Sequence, residues 1–143
     1  MSSDEIQIMD YYYYGTDKYT TQENVILSQL PSEFEINFII RPQGSGYSGN
    51  TGTLATEVTG GTLLIGNVSS ANPRLYLYLS SSVQQSMAVN TGVENEVTWK
   101  YENGVHTLIN GTNTISLTGY VPSNLKCSAT SNCYIKNIRV KKL

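Results

Sequence analysis

The chain of 143 residues is poor in charge and in the side chains that most often carry out catalysis. Charged residues make up 14% of it, His106 is its one histidine, and its three aspartates all lie within the first seventeen residues. The nine lysines and arginines are scattered, apart from the pair Lys141 and Lys142. Nucleic acids and anionic membranes are bound by clustered cations. The sequence therefore predicts no nucleic-acid partner and no membrane partner.

Long apolar runs are also missing. No stretch approaches the roughly 20 apolar residues that span a bilayer. The first residues, Met1–Glu5, have neither the basic nor the apolar region of a secretory signal. We therefore expect a soluble chain of a virion or of the extracellular space, such as a virion component released by lysis, or a domain excised from a longer protein.

Cysteine is scarce, and the two that are present, Cys127 and Cys133, enclose five residues. That spacing fits neither a redox pair nor a zinc knuckle. A local disulfide and two free thiols both remain open, because the redox compartment is unknown. The sequence predicts no metal site and no cofactor, with a calcium ion on loop carbonyls as the alternative. His106 lacks neighbours that would make it a catalytic base, so we expect a solvated strand histidine.

What the chain does contain is a repeated two-residue alternation of apolar and polar side chains. Glu33–Arg41 and Arg74–Leu79 both show it, and turn signals follow about every 8–12 residues. No window has sustained helical periodicity. The pattern predicts one all-β, antiparallel two-sheet sandwich over residues 21–143, preceded by an arm over residues 1–20. The apolar phase slips near Lys136 and Asn137, which predicts a β-bulge.

Three segments, in order, resemble the concanavalin A-like (laminin G-like) jelly-roll superfamily. Leu30–Phe38 is similar to its entry strand, Val97–Gly111 to its strand–turn–strand hairpin, and Tyr134–Val140 to its closing strand. The resemblance spans roughly residues 25–140 and implies a concanavalin A-like jelly roll. The amino-acid sequence of Leu30–Phe38 is also similar to that of modules of tailed-phage structural proteins, which implies a place on a tail, baseplate or capsid.

The same superfamily includes glycoside hydrolases, which need two carboxylates facing one sugar bond. Glu33 with Glu35 is one candidate pair, but no third acid follows it at the expected spacing. Glu94 with Glu96 is the other, at a strand entry where charge is typical of a solvated end. The sequence therefore predicts no enzyme but a carbohydrate-binding or adhesion module. A structural assembly domain that binds other virion proteins is the alternative, ahead of a hydrolase.

Tyrosine supplies the candidate binding surfaces, because eleven of them accompany only two phenylalanines and one tryptophan. Aromatic rings flanked by polar groups suit both sugar-binding faces and protein interfaces. We expect the tyrosines of Arg74–Leu79 to project opposite its leucines, where sugar, a covering protein segment or solvent are all open alternatives. The candidate ligand-binding residues are Arg74, Tyr76, Tyr78, Tyr47, Glu35 and Asn37.

The run Tyr11, Tyr12, Tyr13 and Tyr14 is the candidate interaction arm. Four exposed aromatic rings would form an adhesive patch, so we expect the run to pack on its own sandwich or on a neighbouring subunit. Docking on a neighbour would make the protein a homo-oligomer, and an ordinary edge strand is the alternative. Trp99 shares its strand face with apolar residues and is predicted to lie in the core.

Overall fold

The structure is a computed structural model that describes residues 5–13, 24–44, 46–47, 49–69, 72–130 and 132–143. Within these ranges it contains β-strands and no helix, and so no helix long and apolar enough to cross a bilayer. The strands are β1 (Glu5–Tyr13), β2 (Asn24–Leu27), β3 (Phe34–Pro42), β4 (Gly52–Val58), β5 (Gly61–Asn67), β6 (Leu75–Leu79), β7 (Ser82–Met87), β8 (Asn95–Glu102), β9 (Val105–Asn110), β10 (Asn113–Thr118), β11 (Leu125–Ala129) and β12 (Cys133–Lys142).

The strands form two six-stranded antiparallel sheets that pack face to face. Sheet A has the order β1-β12-β3-β8-β9-β10, and sheet B has the order β2-β11-β4-β5-β6-β7. The last strand of the chain therefore lies between the first and the third, while the middle of the chain forms neighbouring hairpins. The predicted all-β jelly-roll sandwich is confirmed.

The core forms where the apolar positions of facing strands meet between the sheets. In β3 every second residue is buried, from Phe34 to Ile40, and β8 alternates in the same way. Leu75 and Leu77 of β6 face them from sheet B. Burial of each such side chain contributes about 1.5–3 kcal/mol. Trp99 is fully buried, which confirms its predicted place in the core.

Residues 5–13 of the segment that the sequence predicts as an arm form a strand, which is the alternative stated for it. Glu5–Tyr13 is β1, the first strand of sheet A, and it pairs antiparallel with β12. Tyr11 is the register partner of Lys136, and Tyr13 is the register partner of Tyr134. Tyr14 lies outside the described residues, and docking of this segment on a neighbouring subunit stays a prediction.

The prediction for His106 was wrong. The alternation of β9 turns His106 and Leu108 toward the core, and His106 is fully buried rather than solvated. The Nε1–H of Trp99 donates to Nδ1 of His106 at 3.1 Å, and Nε2 of His106 lies 2.7 Å from the carbonyl oxygen of Tyr120. Both ring nitrogens therefore have partners inside the protein, which removes the need for solvent.

Two further sequence features have clear outcomes. The register of β12 against β3 shifts between Lys136 and Arg139, so the predicted bulge is confirmed. Asn137 within it has a φ of 54°, a left-handed conformation that asparagine tolerates better than most residues. Of the two alternatives for the cysteines, the structure has free thiols, and both Cys127 and Cys133 are buried.

Candidate functional site

The outer face of sheet A carries a grid of polar and apolar side chains. Outward-facing residues of neighbouring strands are register partners, and they form two rows across the sheet: Arg139–Asn37–Thr98–Ile109 and Lys136–Ile39–Glu96. Neighbouring strands are about 4.8 Å apart, and rows two residues apart are separated by about 7 Å. This spacing suits a ligand that lies along the sheet and contacts several strands at once.

Three adjoining depressions on this face share Ile39 and Glu96 in their lining. One of about 240 Å³ extends to Arg139, and one of about 550 Å³ extends to Glu94. Together they form an open groove with an apolar floor and polar walls. We call it the sheet A groove and define it by Asn37, Ile39, Glu94, Glu96, Thr98, Ile109 and Arg139.

One wall of the sheet A groove has an amide held in a fixed orientation. The hydroxyl of Thr98 donates to Oδ1 of Asn37 at 2.7 Å, and Nδ2 of Asn37 donates to Glu35 at 3.3 Å. In contrast, the side chains of Glu96 and Arg139 are exposed and form no hydrogen bond or ion pair with the described part of the chain. A carboxylate and a guanidinium are thus free to bind a ligand beside a positioned amide.

A charged cluster closes one end of the sheet A groove. Nζ of Lys136 lies 2.7 Å from the carboxylate of Glu94, and the hydroxyl of Tyr134 donates to the same group. The hydrogen bonds from Lys136 and then Tyr134 lower the pKa of Glu94. Arg41 lies over the Tyr134 ring, 6.0 Å from its centroid, and donates to the carbonyl of Gly92 at 3.0 Å. Glu94 is therefore held ionised and paired.

Two buried asparagines shape the loops beside this end. Asn50 accepts from the backbone N–H of Gln43 and donates to its carbonyl, both at 2.8 Å, which holds the loop that carries Tyr47. Asn95 donates to the carbonyl of Asn90 at 2.8 Å and holds the loop before β8. Tyr47 is 51% exposed. The sequence offers no signal for the role of Asn50, because asparagine in a glycine-rich loop is equally typical of an exposed turn.

The predicted ligand-binding residues fall on separate surfaces. Glu35 and Asn37 lie on the outer face of sheet A, whereas Arg74, Tyr76 and Tyr78 belong to sheet B and its entry. Tyr76 is only 8% exposed, and its hydroxyl donates to the backbone at 3.2 Å. Arg74 donates to Ser86 at 3.0 Å. The structure thus places Asn37 in the sheet A groove with Glu35 hydrogen-bonded beside it, and engages Arg74 and Tyr76 in internal contacts.

Metal-ligating side chains are dispersed. Within the described ranges no three or more His, Cys, Asp or Glu residues lie close enough together to hold a metal ion. The thiols of Cys127 and Cys133 have raised pKa values because both are buried.

No family model and no curated protein matches the chain, but solved structures do. The exoplasmic/lumenal domain of VIP36 with Ca²⁺ and Man3GlcNAc bound superposes with a TM-score of 0.65 at 13% identity, over 98% of this chain and 83% of that one. CG-16, a homodimeric agglutinin from chicken liver, gives 0.59 at 5% identity over 84% and 100%. This chain has a concanavalin A-like fold.

The same fold also forms part of an enzyme. A Trypanosoma rangeli sialidase mutant with trans-sialidase activity matches with a TM-score of 0.56 at 9% identity, over 76% of this chain and 20% of the enzyme. At such identities the concanavalin A-like fold is what these structures share. Function has to be argued from the residues of the sheet A groove.

Proposed function

We propose that this chain is a non-catalytic carbohydrate-binding module whose ligand lies in the sheet A groove. The observation that carries the proposal is the combination of Glu96 and Arg139, which have no side-chain partner among the described residues, with the oriented amide of Asn37 around the apolar side chain of Ile39. Sugar hydroxyls act as both donors and acceptors, which carboxylate, guanidinium and amide groups complement. The C–H face of a sugar ring fits an apolar floor. VIP36 with bound Man3GlcNAc and the CG-16 agglutinin support a sugar ligand for this fold.

The electrostatics of the sheet A groove favour binding over hydrolysis. A glycosidase needs one carboxyl group with a raised pKa to protonate the leaving oxygen. Glu94 is the carboxylate nearest to Glu96 in sequence, and its pKa is lowered by Lys136 and Tyr134. A group held ionised in this way is a poor general acid, so Glu94 does not fit the acid role that hydrolysis requires.

The open shape of the sheet A groove favours an extended ligand, such as a cell-surface polysaccharide, over a small enclosed one. An exposed site with few polar anchors gives modest affinity, and we expect a Kd of about 0.1–1 mM per site. The place of the module on a phage virion rests on the resemblance of Leu30–Phe38 and belongs to the same proposal. Contact with other virion proteins is the alternative role.

A glycan array followed by calorimetry tests the proposal. Arg139→Ala and Glu96→Gln should each weaken binding about 10–150-fold, because a hydrogen bond to a charged group contributes about 1.5–3 kcal/mol. Arg74→Ala is the matched control, since it removes an arginine from the other sheet and should leave affinity unchanged.

Three results would contradict the proposal. A folded protein that ignores every glycan would remove its basis. Affinity that survives both groove variants but is lost in Tyr78→Ala would move the site to sheet B. Release of sugar from a polysaccharide panel by the unmodified chain, abolished in Glu96→Gln, would make the chain an enzyme.

A further inference from the structure

One side of the sandwich is built from sequence without formal charge. Residues 75–93 and residues 103–125 contain no Asp, Glu, Lys or Arg. The first stretch contains β6 and β7, and the second contains β9 and β10. β7 is the last strand of sheet B, β10 is the last strand of sheet A, and the two lie against each other. The fold therefore gathers both uncharged stretches at one pair of sheet edges.

Strand β10 lacks the features that protect exposed strand edges. It pairs with β9 over Asn113–Thr118 without a register shift, and no other described strand pairs with it. Natural edge strands are commonly blunted by lysine, proline or a bulge, because a regular free edge is a template for another strand. β10 contains none of these.

The geometry of the β9–β10 hairpin identifies which backbone groups of β10 do not bond to β9. Its two-residue loop begins at Gly111, whose φ is 63°, and Asn110 and Asn113 flank it as register partners. Such a flanking pair is hydrogen-bonded, and hydrogen-bonded pairs alternate along an antiparallel ladder. The N–H and C=O groups of Thr114, Ser116 and Thr118 therefore point away from β9.

The core-facing side of β10 is also incompletely covered. Ile115 and Leu117 pack against the core cluster but are only partly buried. A further strand along β10 would satisfy the outward-pointing backbone groups and shield Ile115 and Leu117 in one step.

We propose that β10 pairs antiparallel with β10 of a second copy of this chain. A two-fold axis beside Ser116 would pair Thr114 with Thr118 of the second copy, and cross-strand hydroxyl pairs stabilise antiparallel ladders. An isologous contact places each surface against itself, so a surface free of charge meets no repulsion there. The axis would stand perpendicular to sheet A, which makes one continuous twelve-stranded sheet with both outer faces on the same side.

Light scattering after size-exclusion chromatography of the full chain tests this pairing. At roughly 200 µM we expect a mass about twice the 15.8 kDa of one chain, falling toward one chain as the protein is diluted. Ser116→Pro removes an outward N–H and places a ring on the free edge, while the bonds to β9 stay intact. It should be monomeric with unchanged circular dichroism and Trp99 emission.

Ser116→Lys is a second variant, which sets two like charges against each other across the axis, and Thr59→Lys is its control with the same charge on a β4–β5 turn. We expect the first to be monomeric and the second to dimerise. A monomer at every concentration overturns the proposal, and so does a dimer that persists in both Ser116 variants. Calorimetry with glycan on the monomeric variant keeps the two proposals separate, because each sheet A groove is complete within one chain.

Discussion

His106 makes the stability of the sandwich sensitive to mild acid. The Nε1–H of Trp99 donates to its Nδ1, so this nitrogen carries no proton, and its Nε2–H donates to the carbonyl of Tyr120. Both contacts are satisfied by the neutral ring alone. A second proton would set an N–H of His106 against the N–H of Trp99 inside the core.

The direction of the pH effect follows from where the proton binds. Burial is the main cause that lowers the pKa of His106 in the folded chain. Above about pH 6.5 the ring is neutral in both states, and its titration does not affect stability. Below that value the unfolded chain takes up a proton that the folded chain excludes, so the free energy of unfolding decreases.

The size of the effect is bounded by the uptake of one proton, which changes stability by at most about 1.4 kcal/mol per pH unit. Between about pH 7.5 and about pH 5.0, complete exclusion of the proton lowers the free energy of unfolding by about 2 kcal/mol. The paired carboxylates act elsewhere, because Glu57 and Glu94 have lowered pKa values. Their contribution is present above their usual pKa of about 4.5 and is lost as pH falls below it.

Urea unfolding, followed by the emission of Trp99, measures this loss, since Trp99 is the single tryptophan and is fully buried. The comparison variant is His106→Gln, whose amide can accept from Trp99 and donate to Tyr120 without titrating. We expect it to be less stable at neutral pH, by about 1–3 kcal/mol if one of the two contacts is lost, but flat across the same pH range. If the free energy of unfolding decreases in acid by the same amount in His106→Gln as in the unmodified chain, the argument is refuted.

Two further predictions concern backbone and thiols. Gly66→Ala should destabilise the fold by about 1–3 kcal/mol, because φ is 140° and a Cβ would meet the carbonyl oxygen of Gly52 at 2.4 Å. Gly60→Ala is the control, because Gly60 also has a positive φ but a Cβ there would lie in open space. If thermal unfolding shows the same loss of stability for both variants, the predicted clash at Gly66 is contradicted. In the native state Cys127 and Cys133 should resist a thiol reagent, because burial raises the pKa of Cys133 to about 12 and that of Cys127 further. Rapid labelling of either thiol in the folded protein would contradict this.

The fold could be predicted from local patterns where alternation is strong. β3, β6 and β8 carry large apolar residues at every second position, and each is a strand in the structure. β11 escaped prediction because its buried positions, Leu125, Cys127 and Ala129, are mostly small and not β-branched. His106 was assigned to solvent because a histidine gives no sign in sequence of a tryptophan N–H that it can accept.

Only part of the candidate site could be predicted from the sequence. Glu35 and Asn37 belong to β3, whose alternation fixes their outward direction, and both were predicted to bind. Their neighbours come from distant parts of the chain, since Asn37 is paired with Thr98 on one side and Arg139 on the other. That adjacency depends on the strand order of sheet A, and no local pattern encodes it.

Arg139 shows how one local irregularity decides the composition of the groove. Tyr134 and Lys136 lie on the outer face, so strict alternation would turn Ile138 outward and Arg139 into the core. The bulge at Asn137 adds one residue, and the result is a buried Ile138 and an exposed Arg139. The phase slip that predicts the bulge is therefore also the sequence feature that places the exposed guanidinium of Arg139 in the sheet A groove. Its effect on the groove can be seen only from the structure, in which β12 pairs with β3.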